Sequence, residues 1–595
     1  MQNSVITGYK IRVRTGCKTC RQVTPRDSPP LFSKVLTLRH RIRRVKCDET
    51  KPNCQRCTKT GRRCDGYGTD HLSRTDLVQA ENHRRIPSST PPSELSSLTH
   101  LHIQGHGFNG DGIAGQSFDF FRACIALESC EYFDEGFWSR MVLQMSHSEP
   151  AIRHGIMALG TLGRRFRESE IETNKQYYKS ALQQYNKAVI HARKLLEGGD
   201  NQDWGTMQKI LVACIIFVSF ENHMGNYAAA QVHLKNGMRI LSLYQSRSKA
   251  FRIAQPDGKE LSSIPLSSCQ HPAAEDKITQ LFSRFDFQAM TFSDSSSPYQ
   301  YTPFSFSSPI SDASRTSLSS DENPAPLPII FSSVTEAQIY LFEYIRYLFR
   351  LTDALWSLSS SQSPENEHIL AIILLMKRKC LLALEQWKVL FDTLLQSQAR
   401  TRSPSKRTLI PPDINDSSNL RQQHVSGLLR AYYLLSLIIL RAGIDSSLDE
   451  TLWDAQIPLF SDTLDQIESM RPTVNSGQQK IFSLDIGIVL PLFFTAIKCR
   501  DPLLRRKAIK LLGALHRREG VWDSEGATKV AEKIMEIEEG DLGIVGQAED
   551  IVETKRVYVN FVTAKLDERK VYLVCMLKPR GREEEWESRD QWVTF

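Results

Sequence analysis

At 595 residues with 41% hydrophobic side chains, the chain is long enough for a small module beside a large body with a substantial apolar core. Its formal charge of +8 hides an uneven distribution: residues 1–70 hold 17 Lys and Arg against 5 Asp and Glu, and the remainder holds 58 against 62. Residues 1–16 lack the apolar run of a signal peptide, and the runs at 210–220 and 486–497 fall short of the about 20 residues that span a bilayer. The expectation is a soluble intracellular protein, without membrane, in which clustered cysteines hold metal rather than disulfides.

Six of the 13 cysteines fall between Cys17 and Cys64, in two halves. Cys17-x2-Cys20 is followed by Cys47, and Cys54-x2-Cys57 by Cys64, with a basic string from Arg39 to Lys46 between them. Two tetrahedral zinc ions need eight ligand positions, which six thiolates fill only if two of them bridge. The halves form a pseudo-repeat, so the leading cysteine of each, Cys17 and Cys54, is the symmetric choice. One ion then takes Cys17, Cys20, Cys47 and Cys54, and the other Cys17, Cys54, Cys57 and Cys64. Thiolates beside arginines point to metal and nucleic acid.

CKTCR at 17–21 and IRRVKCDETKPNCQRCTKTGRRCDGY at 42–67 resemble the fungal Zn2Cys6 binuclear-cluster transcription factors, whose pattern C-x2-C-x6-C-x6-C-x2-C-x6-C they reproduce when joined. The resemblance implies two Zn²⁺ and a short helix that opens at the second cysteine and reads a CGG-type triplet of double-stranded DNA in the major groove. Carried onto this chain, it places Arg43 and Arg44 at the base-reading positions, where a guanidinium can bond guanine O6 and N7 together. Arg21, Arg41, Lys46 and Lys51 are assigned to phosphates, which position without specifying, and Arg39 and Arg62 to solvated charge or a nuclear-import signal. It further implies a nuclear regulator of RNA polymerase II transcription, with co-regulators or the transcription machinery as partners. A homodimer stays open, because no heptad pattern follows the module.

One departure from the pattern is large. Cys20 and Cys47 are separated by 26 residues where the family has six, so 20 extra residues, placed at Gln22 to Arg41, enter the recognition helix. Lengthening a closed segment about fourfold costs on the order of 1 kcal/mol of loop entropy, against roughly 10–16 kcal/mol from structural zinc. The cluster is therefore expected to survive while the helix loses its tie to it. Twenty codons keep the reading frame, and Arg21-Gln22-Val23, Leu36-Thr37 and His40-Arg41 admit donor, branch-point and acceptor sequences, so the segment reads as a translated intron.

Past the module at 1–70, residues 71–116 carry Ser-, Pro- and Gly-rich stretches without apolar periodicity and read as a flexible linker. From about 117 the pattern is helical. Between Tyr178 and Leu196, apolar or small residues recur at the spacing of one buried face, and similar stretches lie at 149–166, 204–223, 226–244, 334–358, 367–396, 423–442, 450–471, 484–499, 502–517 and 525–538. Ser- and Pro-rich segments at about 255–330, with a short helix near 276–290, and at 399–420 read as disordered insertions. In the tail at 546–595, the β-branched and aromatic runs 557–566, 570–577 and 591–595 suggest a small sheet.

The expected fold is thus mainly α: the cluster module, a linker, a large all-α regulatory domain over 117–545 and a small C-terminal β element. Segments 118–162, 220–241 and 490–524 resemble the fungal-specific transcription-factor domain that follows many such clusters. An enzyme is not expected. His147 and His154 lack HExxH spacing, no Gly-rich phosphate loop precedes a helix, and Cys124, Cys130, Cys214, Cys380 and Cys499 read as buried structural cysteines. Trp138, Trp204 and Trp522 read as core. The competing class is a helical interaction protein that does not bind DNA and whose interrupted cluster is only structural.

Overall fold

Among the described residues the first helix, α1, spans Ile113–Phe120 and continues as a π-helical turn over Phe121–Ile125. In this computed structural model the chain divides into two units, Met1–Ile103 and Gln104–Phe595. The structure describes residues 112–595 except 134–135, 198–203, 254–271, 292–325, 360–365, 402–412, 446–448, 471–479, 567 and 579–585, all of it in the second unit.

α2 (Pro150–Arg167) shows why these segments become helices. Pro150 opens it, the Glu149 side chain accepts the Ala151 N–H at 3.3 Å, and Arg164, Arg165 and Arg167 fill the last turn, where positive charge suits the helix dipole. Its inner face buries Ile152, Ile156, Leu159 and Leu162. At Gly160 a Cβ would stand 2.0 Å from Ser117 O, so α1 crosses α2 at a distance only glycine permits.

α3 (Ile171–Leu196), α4 (Trp204–Met224), α5 (Tyr227–Ile253) and α6 (Pro272–Thr291) complete the first half. Its core gathers Phe121, Trp138, Ile156, Phe220 and Phe282. The apolar run 210–220 lacks an amphipathic face because α4 is enclosed on nearly all sides between Ile210 and His223. By length and composition α4 and residues 421–443 are long and apolar enough to cross a bilayer, which the run at 210–220 alone is not; most of each is buried among other helices of the body.

The second half contains α7 (Val334–Ser359), α8 (Asn366–Thr401), α9 (Asp413–Ile438), α10 (Ile457–Ser469), α11 (Val489–Lys498), α12 (Pro502–Gly513) and α13 (Ser524–Glu539). Its core unites Leu341, Leu348, Trp387, Tyr432, Leu492 and Val530 with Leu573 and Cys575 of the tail. α8 and α9 run into both ends of the segment expected to be disordered at 399–420; its middle, like most of 255–330, lies outside the described residues. α6 occupies the place of the short helix expected near 276–290.

Two sheets frame this half. β1 (Ile481–Ser483) pairs in parallel with β2 (Arg517–Glu519), which turns through Gly520 and Val521 into antiparallel β3 (Trp522–Asp523). Gly520 holds φ +56°, and a Cβ there would stand 2.0 Å from Gln288 Oε1. The helices expected over 484–499 and 502–517 are shorter, Val489–Lys498 and Pro502–Gly513, and of these strands only β2 reaches into an expected helix, at Arg517. The tail forms the expected small sheet: β4 (Val557–Lys565), β5 (Lys570–Leu577) and β6 (Glu587–Thr594) are antiparallel in that order, with Val571 opposite both Ala564 and Val593.

Candidate functional site

The residues expected to hold zinc, Cys17, Cys20, Cys47, Cys54, Cys57 and Cys64, and those expected to touch DNA, Arg21, Arg41, Arg43, Arg44, Lys46 and Lys51, lie outside the described residues. Their chemistry is nonetheless specific. Six soft thiol donors within 48 residues, with no histidine or carboxylate at a repeat position, form a donor set that suits tetrahedral zinc. Among the described residues no group of three or more His, Cys, Asp or Glu side chains is placed to hold a metal ion.

The helical body carries its polar chemistry inside. Arg500 and Arg505 converge on Glu538 at 2.8 and 2.7 Å, and Glu450 meets Lys498 at 2.6 Å and Arg500 at 2.9 Å. Burial alone would raise the Glu538 carboxyl, but the two guanidinium groups outweigh it and hold its pKa at about 2. Arg556 caps the same region, with its Nη2 2.6 Å from Asp454 Oδ2 and 2.9 Å from Ala548 O. A second group joins Arg517 to Glu131 and, at 2.8 Å, to Glu519. Both groups are fully paired frameworks rather than reaction centres.

Between α11, α13 and β4–β5 lies a cavity of 230 Å³. Its walls are mainly apolar, with Phe493, Trp522, Val530 and Val571 among them. Its charged groups are engaged: Lys498 pairs with Glu450, and Asp523 Oδ1 accepts the Gly526 N–H at 2.9 Å. The cavity offers apolar contact, with no nucleophile poised beside a base.

Burial disfavours the thiolate at several cysteines of the described body. Cys380 and Cys499 are buried as expected, and burial pushes both thiols up to about 12. Cys124, Cys130 and Cys214 are half-buried rather than buried, although desolvation also pushes the Cys214 thiol to about 12. Trp138 and Trp522 are core residues, while Trp204 is partly buried against the first core. His147 is exposed, and His154 Nδ1 lies 2.8 Å from Gln184 Oε1.

A largely helical body behind a basic, thiol-rich module is the architecture of a zinc-dependent transcription regulator. The chain belongs to the family defined by the fungal specific transcription factor domain, which matches residues 119–537. The fungal Zn(2)-Cys(6) binuclear cluster domain matches residues 40–71, a stretch that holds Cys47, Cys54, Cys57 and Cys64 but not Cys17 or Cys20. The chain is 25% identical to the aspercryptin biosynthesis cluster-specific transcription regulator atnN of Emericella nidulans, over 90% of this chain and 89% of that one. It is 28% identical to the transcription regulator lscL of Purpureocillium lilacinum over 42% and 56% of the two chains. Against the transcriptional regulatory protein moc3 of Schizosaccharomyces pombe it is 45% identical over 10% and 8%. No solved structure matches the chain. The protein is a fungal-type transcription regulator, not an enzyme, and its cofactor is a pair of zinc ions.

Proposed function

We propose that the chain works in the nucleus as a sequence-specific regulator of RNA polymerase II transcription. Arg43 and Arg44 read CGG-like triplets in the major groove, and Arg21, Arg41, Lys46 and Lys51 fix the register on phosphates. Cys17 and Cys54 bridge the two zinc ions, and Cys20, Cys47, Cys57 and Cys64 complete the tetrahedra. The module occupies 1–70, the linker 71–116, the regulatory domain 117–545 and the extension 546–595. The observation that carries this reading is the binuclear-cluster match at 40–71 with a basic string at its leading edge. A role confined to one set of genes is supported by the likeness, over nine-tenths of the chain, to a regulator named for one biosynthetic cluster.

The extra segment 22–41 favours a second reading for this form, a helical interaction protein whose cluster no longer reads DNA. The cluster match begins at His40, beside the proposed end of the segment at Arg41. That position supports an interruption of an otherwise regular module, and genomic sequence across codons 21–41 with spliced transcripts tests its origin as an intron. The DNA reading is tested by gel shift on CGG duplexes against scrambled ones. Arg43→Ala with Arg44→Ala should remove the preference for CGG while leaving nonspecific, salt-dependent binding. An unchanged preference would overturn the base-reading assignment.

A further inference from the structure

The last turns of α2 and α4, together with β1, β2 and the β4–β5 turn, meet around two adjoining cavities of 170 and 70 Å³. Both are lined by Phe166, Lys480, Arg518, Leu566 and Arg569. The larger also takes Arg165, so four cationic side chains face one carboxylate, Glu168. Glu168 is occupied locally, its Oε1 accepting the N–H groups of Ser169 and Glu170 at 2.9 Å.

Arg518 is the anomaly. Among the described residues seven arginines are buried: Arg284, Arg346, Arg500, Arg505, Arg517, Arg518 and Arg556. Six of them have a carboxylate at ion-pair distance. Arg518, 8% exposed, has none, and its Nε and Nη2 are enclosed without a hydrogen-bond partner. Asp523 faces it across the β2–β3 pair but turns its Oδ1 to the N-terminus of α13. The dipole of α2 explains a cation at Arg165, whose Nε is 3.0 Å from Asn174 Oδ1. It does not explain Arg518, which bonds no carbonyl of that helix.

The nearby Asp523 charge offsets only part of the burial of Arg518; a buried guanidinium without a hydrogen-bond partner is costly, and cations that converge on a cavity lower the cost of seating an anion there. We propose that the Arg518 cavity is a binding site for a small organic oxyanion, its carboxylate or phosphate group held by Arg518 and Lys480 and its apolar part against Phe166 and Phe482. The supporting charges are suited to the task. Lys480 is half-buried and has no ion pair among the described residues, its Nζ lying 5.7 Å over the Phe166 ring. Arg569 is exposed and held by Glu525 at 2.7 Å, which leaves it as the solvent-side wall. His223 on the larger cavity stays neutral near pH 7, while the smaller cavity is also lined by His516, Arg517 and two carboxylates, Asp523 on the Gly526 N–H and Glu525 on Arg569. A guanidinium suits either oxyanion because it is a permanent cation whose N–H groups bond carboxylate and phosphate oxygens alike. The lining comes from segments far apart in sequence, so an occupant would tie α2 and α4 to the small sheet. This site is independent of how the cysteine module meets DNA.

Isothermal titration of the full chain with inorganic phosphate and with benzoate, at fixed ionic strength, tests the proposal. The basic module also attracts anions, so the quantity read is the difference between the wild type and Arg518→Met. The wild type should show one site for at least one probe that weakens tenfold or more in R518M, and phosphate or benzoate preference identifies the ligand class. R518M should unfold no earlier than the wild type in chloride, since an apolar chain replaces an unpaired buried charge. Lys480→Gln removes a partly exposed charge and serves if R518M does not fold; it should weaken the same site several-fold. Equal titrations of wild type and K480Q, or of wild type and a folded R518M, would overturn the assignment, as would the absence of a site for both probes.

Discussion

Arg500 Nη2 stands 2.8 Å from Glu538 Oε1 with both side chains fully enclosed. The same carboxylate receives Arg505 at 2.7 Å and the Val557 N–H at 2.7 Å, so a single side chain of α13 joins the α11–α12 corner to the first residue of β4. Glu538→Gln keeps the shape but removes the carboxylate shared by two buried cations, leaving Glu450 to Arg500 and Glu539 to Arg505. We expect a loss of about 3–5 kcal/mol, read as an earlier urea transition of the helical signal. A loss below about 1 kcal/mol would mean that the arginines find other partners.

His223 should make stability depend on pH. Burial first, and Arg518 second, lower its pKa from 6.5 to about 3. Between those values the unfolded chain takes up a proton that the folded chain refuses, so stability falls as pH drops from 6.5 towards 3, by up to about 1.4 kcal/mol per unit. Burial also lowers His154, His233 and His424, which add to the same slope. Urea midpoints at pH 7, 6 and 5 should fall less steeply in His223→Gln than in the wild type. Parallel slopes would contradict the assignment.

Glu538 acts in a lower window. Its folded pKa of about 2 lies below the ordinary 4.5, so its contribution is complete above 4.5 and is lost as pH falls through 2. Acid unfolding of E538Q should therefore lack the part of the wild-type decline that lies between pH 4.5 and 2, and an unchanged profile would remove Glu538 from the account.

Gly160→Ala should loosen the first half of the body. The added methyl would lie 2.0 Å from Ser117 O and 2.9 Å from its carbonyl carbon, both backbone atoms of α1. Separating the helices costs about 1–3 kcal/mol, measurable as a lower midpoint of thermal unfolding. An unchanged midpoint would show that α1 is free to shift.

Helices with a long amphipathic period were legible in the sequence, and so were β4–β6, because β-branched and aromatic runs have no helical period to compete with. β1–β3 were not legible. Two or three residues carry no period, and β2 reads Arg517-Arg518-Glu519, charges that hydropathy places on a surface although all three are buried. The polar start of α9, Asp413 to Asn419, resembles a loop because its helical state follows from extending a helix whose packed face lies further along. Composition and spacing revealed the cysteine module. The Arg518 cavity was hidden because its walls come from α2, α4, β1, β2 and the β4–β5 turn, and no local window contains them.

The proposed bridges can be separated from the other zinc ligands by counting metal. Native mass spectrometry of the full chain should find two zinc ions, and Cys54→Ser should weaken both sites because it removes a shared thiolate. Cys64→Ser should affect one ion. Loss of a single ion from C54S, with the other held as in the wild type, would contradict bridging by Cys54.

The most direct test of the central claim compares the full chain with the same chain lacking residues 22–41 in a gel shift on CGG-containing duplexes, with and without a zinc chelator. The shortened chain should bind CGG over scrambled DNA in a zinc-dependent way, and the full chain should bind it more weakly. If neither chain binds above the nonspecific level, the assignment of DNA reading to this cluster is contradicted.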